Sequence, residues 1–355
     1  MSLLERLRAE IAQTGPLTIA QYMSRCLHDP QDGYYATHPA LGEAGDFVTA
    51  PLVSQMFGEL IGLWAAETWI RLGQPARVRL VEVGPGDGTL MGDMLRAARL
   101  APEFLAAADV WLVETSRPLT VRQQAALAGA PLKAHWAADL SQVPGGAPVI
   151  LVANELLDCL PARQFVRDRG RWAERMVGAA EDGLAFGLSP RPLDRHLPPA
   201  ANGAVLEASP AQEAFGTMVA ALVAREGGAA LLIDYGRAEP GFGDTLQALK
   251  GHAKVDPLAG PGEADLTVHA DFPAVLAAAR AAGALAAPIL TQGEFLRRLG
   301  IEHRAAALAR GGGDQARVIA RQLDRLTAPD QMGDLFKAAC IHAPGLVPPG
   351  FEEAP

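Results

Sequence analysis

Between Val78 and Leu90 the chain reads VRLVEVGPGDGTL. A β-branched, apolar run (Val78, Leu80, Val81, Val83) stops at Gly84-Pro85-Gly86-Asp87-Gly88, and a helix-compatible stretch with Leu90, Met91, Met94, Leu95 and Ala98 follows. This is a strand, a tight glycine turn and a helix. Glycines there let the backbone approach a ligand closely, and the new helix offers free N–H groups and the positive end of its dipole. A chain built around such a unit is committed to an α/β fold with its ligand at the carboxyl end of the strand.

The spacing narrows the ligand. A dinucleotide fingerprint needs G-x-G-x-x-G and an acidic ribose ligand about twenty residues on. Here the third glycine, Gly88, comes one place early, and Glu82 lies inside the strand two residues before Gly84. The E-x-G-x-G-x-G pattern resembles that of class I S-adenosylmethionine-dependent methyltransferases. The difference has a physical basis. S-adenosylmethionine has no pyrophosphate to cradle, and its ammonium and sulfonium are cations that a nearby carboxylate favours.

The chain has 355 residues, room for one large α/β domain with insertions or for two domains. Its net charge of −9, with no basic block, speaks against a phosphate-driven nucleic-acid binder. Cys26, Cys159 and Cys340 are widely spaced and form no C-x-x-C, so neither a disulfide framework nor a metal site is expected. No apolar stretch is long enough to span a bilayer. The N-terminus lacks an apolar signal region, and Glu5 and Glu10 argue against an organellar presequence, so a cytoplasmic location is expected.

Residues 1–75 read as an N-terminal helical block, with helices over roughly 2–13 and from Thr18. A single amphipathic helix is expected from Thr49-Ala50-Pro51 through Thr68, its core stripe being Val53, Met56, Phe57, Leu60, Ile61 and Trp64. Residues 76–355 read as the core. Strands at βαβ spacing are expected at Ala108–Glu114, Leu132–Trp136, Pro148–Asn154 and Ala229–Tyr235, with a helix near 117–128. An insertion over approximately 155–208 alternates like short antiparallel strands around Arg169-Gly170 and Asp182-Gly183. Ser209-Pro210-Ala211-Gln212 is a capping box that starts the next helix.

The class I resemblance assigns roles along the strand ends. It implies Glu82, Gly84, Pro85, Gly86 and Gly88 around the cofactor, and Glu114 as a bidentate acceptor for both ribose hydroxyls. Asp139 and Leu140, after the third strand, fall where the adenine is read; the other reading of Asp139 is a helix cap. Asn154, Glu155 and Asp158 follow the fourth strand, where the methyl acceptor lies. Amide-base methyltransferases carry a D/N-P-P-aromatic loop there. This chain offers two carboxylates instead, suited to a cationic acceptor. A guanidinium acceptor needs carboxylates to orient it and to take a proton as the bond forms.

Beyond the glycine loop, the chain resembles the MidA-like family of S-adenosylmethionine-dependent methyltransferases. The residues that carry this are Leu17-Thr18-Ile19-Ala20-Gln21-Tyr22-Met23, Gly45-Asp46-Phe47-Val48-Thr49-Ala50-Pro51, Asn154-Glu155-Leu156-Leu157-Asp158, Pro161-Ala162-Arg163-Gln164-Phe165, Asp234-Tyr235-Gly236 and Asp265-Leu266-Thr267. Ala270 departs from the valine that many relatives carry before Asp271. The resemblance implies a Rossmann-like, doubly wound sheet with the N-terminal block covering the active site, and S-adenosyl-L-methionine as cofactor. It implies Asn154, Glu155 and Asp158 as catalytic residues, Asn154 also as a cofactor-binding one, and Asp46, Thr49, Gln55 and Asp234 as substrate-binding ones. Mitochondrial members are complex I assembly factors that dimethylate an arginine of a complex I subunit, so protein arginine methylation is the leading expectation. A small-molecule methyltransferase and a non-catalytic assembly chaperone are the alternatives. A nicotinamide dehydrogenase is disfavoured by the glycine spacing.

Overall fold

The glycine turn sits between the strand Val78–Val83 and the helix Thr89–Ala97, and every residue of that strand is buried. Burial on both faces explains why the strand reads as a nearly continuous apolar run rather than an alternating one. Its first charged residue, Arg79, is compensated by Asp109 on the neighbouring strand and by the carbonyl of Pro144 at 2.9 Å. The computed structural model describes residues 1–37, 49–191, 193 and 197–352.

The chain forms two compact units. The core unit takes the described residues of Val48–Leu156, Ala214–Ala238 and Phe272–Pro355. Its sheet runs in the order Leu285–Ala286, Phe336–His342, Gly228–Arg237, Val149–Asn154, Val78–Val83, Ala108–Val113, Ala134–Ala137. The last five strands are parallel to one another, and Phe336–His342 joins antiparallel to Gly228–Arg237. The sheet is therefore the expected parallel one, extended by an antiparallel edge that the pattern of the tail did not specify.

The helix expected from Thr49 to Thr68 is two helices, Ala50–Val53 and Gln55–Arg71. Ser54 breaks them: its backbone is extended, and its side chain accepts from the Met56 amide at 3.3 Å, capping the second helix. Of the expected stripe, Met56, Phe57, Leu60, Ile61, Trp64 and Thr68 are buried, and Val53 is half-buried. Gly58 and Gly62 let this helix lie against Thr89–Ala97. A Cβ on Gly58 would come within 2.5 Å of the Asp93 Cβ, and one on Gly62 within 2.6 Å of the Met94 carbonyl oxygen. Two small residues thus seat the helix that follows the glycine loop.

The second unit takes the described residues of Met1–Phe47, Leu157–Glu213 and Glu239–Asp271. The N-terminal residues are shared between the two units. Leu17–Thr18 pairs antiparallel with Arg171–Ala180, far along the chain, while Gln55–Arg71 buries its stripe in the core. The insertion is β-rich as expected, with strands Arg163–Asp168, Arg171–Ala180, Gly183–Leu188 and Val205–Ala208. A buried polar network binds this unit. Gln164 donates to Glu207 at 2.8 Å and Asp244 at 2.9 Å and accepts from Arg175 at 2.9 Å. Every polar group of the Gln164 side chain is used, so its complete burial costs little.

Candidate functional site

Parallel pairing brings the strand ends to a common edge. Val83 lies opposite Val113, and Val113 opposite Ala137. The register continues one residue further, with the Gly84 amide on Val113 O at 3.1 Å and the Glu114 amide on Ala137 O at 2.9 Å. Gly84 and Glu114 therefore emerge side by side, because the strands that carry them are in register.

The loop between them needs glycine. Gly84, Gly86 and Gly88 have φ of 68°, 56° and 89°, a region that side chains with a Cβ enter only with strain. Gly84 also has close company: a Cβ there would sit 2.9 Å from Leu156 Cδ1. Asp87 accepts from the Thr89 amide at 2.9 Å and closes the turn.

Glu82 is 2% exposed, and one of its carboxylate oxygens, Oε2, is buried with no hydrogen-bond partner. Burial, reinforced by the nearby Asp87 and Glu114 carboxylates, pushes its pKa up to about 8, against the pull of the Met91 amide. A buried carboxylate beside a glycine loop is poised for a cation, which would supply the missing partner. Without one, the folded protein holds a proton there up to about pH 8, whereas the unfolded chain loses it near 4.5. The folded state binds the extra proton between those values, so Glu82's contribution to stability falls as pH rises through that window. Glu82→Gln should abolish the effect. Thermal melts of the cofactor-free proteins between pH 5 and pH 9 should show the variant gaining steadily on wild type, and a constant difference would refute the assignment.

Glu114 is held on both oxygens. Oε1 accepts from the Ser116 amide at 2.7 Å and Oε2 from Gln123 Nε2 at 2.9 Å. Burial raises its pKa, and those hydrogen bonds oppose the rise. Asp139 is exposed and caps the short turn Leu140–Gln142 by accepting from the Ser141 amide at 2.8 Å. The capping reading of Asp139 is thus visible directly, and Leu140 behind it is buried.

At the end of the fourth strand, Asn154 is 9% exposed and donates to Glu155 Oε1 at 2.9 Å, while its own Oδ1 has no partner. Glu155 adopts φ of 53°, rare for a residue with a side chain. Hydrogen bonds to described residues hold it there. Its amide donates to Ile233 O at 2.8 Å, and its Oε1 accepts from Asn154 and from the Ala50 amide at 3.0 Å. Strained backbone at the end of a strand commonly marks a functional position. Thr49 precedes Ala50 as the N-cap residue of that short helix.

The remaining candidates are less convergent. Gln55 is exposed in the first turn of Gln55–Arg71. Asp234 is 1% exposed on the fifth strand, next to Ile233, and accepts from the Tyr235 amide at 2.8 Å. Asp158 belongs to the second unit and is buried; its carbonyl accepts from the Val268 amide at 3.0 Å. Asp46 lies outside the described residues.

Sequence reasoning missed Gln123. It is fully buried on the helix Arg117–Ala126 and contacts the glycine loop, Glu114 and Trp136 of the third strand. A glutamine inside a mostly polar helix carries no motif. The one available signal was a polar residue at helical spacing from the buried Leu119.

The family model described as S-adenosyl-L-methionine-dependent methyltransferase matches residues 60–290. The Drosophila melanogaster protein arginine methyltransferase NDUFAF7 homolog, mitochondrial, is 34% identical, over 100% of this chain and 87% of its own. The Rattus norvegicus protein arginine methyltransferase NDUFAF7, mitochondrial, is 33% identical over 99% of this chain and 91% of its own. A crystal structure from Burkholderia thailandensis bound to S-adenosyl-homocysteine superposes with a TM-score of 0.85 at 28% identity, covering 99% of this chain and 93% of that one. The resemblance read from sequence holds along the whole chain. The expected cytoplasmic location does not, because these relatives are named as mitochondrial proteins.

Proposed function

Since this chain belongs to the S-adenosyl-L-methionine-dependent methyltransferase family, we propose that it transfers the methyl group to an arginine of a protein substrate, with Glu155 as the carboxylate that receives the guanidinium. The observation that carries this is the left-handed Glu155, fixed by the Ala50 amide, Asn154 and Ile233 at the end of the fourth strand. The protein arginine methyltransferases among its relatives support the acceptor class. A subunit of respiratory complex I is the candidate substrate that the family resemblance implies.

The unpartnered Glu82 oxygen, the glycine loop and the doubly held Glu114 suit the cofactor's cations, backbone contacts and ribose hydroxyls respectively. Bound there, S-adenosylmethionine supplies an already activated methyl group. What remains for the protein is alignment and charge. A guanidinium lone pair is delocalised, so the carboxylate must hold the group in one orientation and accept a proton as the new bond forms. Glu155 suits this because its own position is fixed before any substrate arrives. Asn154, whose oxygen is buried without a partner, can accept one further hydrogen bond in the same place.

Methyl-labelled S-adenosylmethionine supplied to the protein with native extract tests the reading. Label recovered as methylarginine after protein hydrolysis is the expected result, and label confined to small molecules would overturn it. Glu114→Ala should weaken S-adenosylhomocysteine binding by about 1.5–3 kcal/mol, the worth of hydrogen bonds to a charged group. Isothermal calorimetry on the folded variant measures this, and an unchanged affinity would remove Glu114 from the ribose.

A further inference from the structure

Gln123 is fully buried, and its side chain joins three separate elements. Its amide nitrogen donates to Gly86 O at 2.8 Å and to Glu114 Oε2 at 2.9 Å, and its amide oxygen accepts from Trp136 Nε1 at 2.9 Å. Chemistry fixes which way the amide points. Turned over, the oxygen would face a carbonyl and a carboxylate, and the NH2 group would face an indole N–H, so all three bonds would be lost. Both donor hydrogens are spent on groups beside the cofactor, one on the loop and one on the acid.

The backbone makes room for this. A Cβ on Gly88 would lie 3.2 Å from Gln123 Cα and 3.5 Å from Ala126 Cβ, so the bare glycine lets the helix Arg117–Ala126 approach the loop. Gly88 therefore serves two purposes: its positive φ turns the chain, and its missing side chain admits the helix that carries Gln123. Glu114 Oε1 is fixed by its own local turn through the Ser116 amide, whereas Oε2 depends on Gln123. Removing Gln123 would leave a half-buried carboxylate oxygen, a carbonyl and an indole N–H each short of a partner.

We propose that Gln123 is a positioning residue that locks the Glu114 carboxylate to the glycine loop and so sets the enzyme's discrimination for a ribose bearing its hydroxyls. The inference rests on the reading of Glu114 as the ribose acceptor. Gln123 does not touch the ligand; it acts by holding one oxygen of Glu114 at a set distance from Gly86. Without it the carboxylate can rotate, and a bidentate grip on two vicinal hydroxyls becomes a weaker, single one. A residue that merely stiffened the core would weaken every adenosyl ligand alike. A residue that aims Glu114 weakens selectively those ligands that carry the hydroxyls.

Calorimetry with S-adenosylhomocysteine and its 2′,3′-dideoxy analogue separates the two. Wild type should prefer the natural ligand by about 30-fold or more, as expected where a buried polar group loses its partner. Glu114→Ala should reduce that ratio to about threefold, because the grip is gone. Gln123→Met should reduce it to about fivefold or less, with most of the loss falling on the hydroxylated ligand. Gln123→Glu keeps the volume and the acceptor for Trp136 but replaces the donor to Glu114 with a second acceptor oxygen, and should lower the ratio as far, so the test survives if the methionine variant folds poorly. A ratio kept at the wild-type value in folded Gln123 variants, with both affinities falling together, overturns the inference while leaving Glu114 on the ribose. A wild-type ratio near one that Glu114→Ala does not alter overturns both.

Discussion

Glu155→Gln is expected to cut single-turnover methylation of the protein substrate by about 10²- to 10³-fold while cofactor affinity stays within about threefold. The substitution is nearly isosteric. A glutamine oxygen can still accept from the Ala50 amide and from Asn154, so the left-handed turn and the contact with the short helix persist. What disappears is the negative charge and the ability to take a proton. A guanidinium becoming a methylated guanidinium must shed a proton, and a neutral amide can neither receive it nor balance the charge that develops. Cofactor binding should be spared because Glu82, the glycine loop and Glu114, proposed above to hold the cofactor, belong to or follow other strands. The comparison to make is rapid-mixing single turnover against calorimetry on the same preparation. Turnover within about threefold of wild type, a change of only ~0.65 kcal/mol, would remove Glu155 from the acceptor. Loss of cofactor affinity in parallel would instead mean that Glu155 supports the cofactor.

How much of this site can be read from the sequence follows from how local each feature is. The strand–loop–helix unit is legible because its residues are contiguous and only glycine tolerates its dihedrals. The strand ends are legible for the same reason: Val149–Asn154 and Ala108–Val113 are short apolar runs ended by polar residues. Their expected limits, Pro148–Asn154 and Ala108–Glu114, differ by a single residue. Non-local features were not legible. The break at Ser54 required knowing that a serine inside a helical pattern caps a new helix rather than facing solvent. The partnership of Leu17–Thr18 with Arg171–Ala180 joins segments far apart in sequence, and no periodicity reports it. Gln123 is the clearest case, since its three partners come from the glycine loop, the second strand end and the third strand. Its role exists only once the fold has assembled them. The φ of Glu155 is likewise invisible in sequence, because glutamate rarely adopts it and nothing nearby announces the exception.

Gly228→Ala should destabilise the core unit by about 4 kcal/mol or more, at the extreme of what single substitutions do. Gly228 opens the fifth strand at φ 110° and lies opposite Val149 in the parallel pair. A Cβ there would come within 1.9 Å of the Val149 carbonyl oxygen and 2.8 Å of its carbonyl carbon. Those atoms are backbone in the centre of the sheet, so no side-chain rotation relieves the overlap and the two strands must separate. Gly73→Ala is the matched control, because Gly73 has φ of 84° but nothing within 4 Å of the added carbon. It carries only the cost of a left-handed alanine, about 1–2 kcal/mol. The difference between the two in urea unfolding isolates the overlap from the dihedral. The same pair of strands ends at Asn154 opposite Ile233, whose carbonyl holds the Glu155 amide. Separation at the Gly228 end therefore loosens the register that fixes Glu155, and whatever Gly228→Ala protein remains folded should also lose methylation on the true substrate. Equal stability of the two variants would show that the fourth and fifth strands can part at Val149 without cost, and would remove the sheet as the element that holds Glu155 in place.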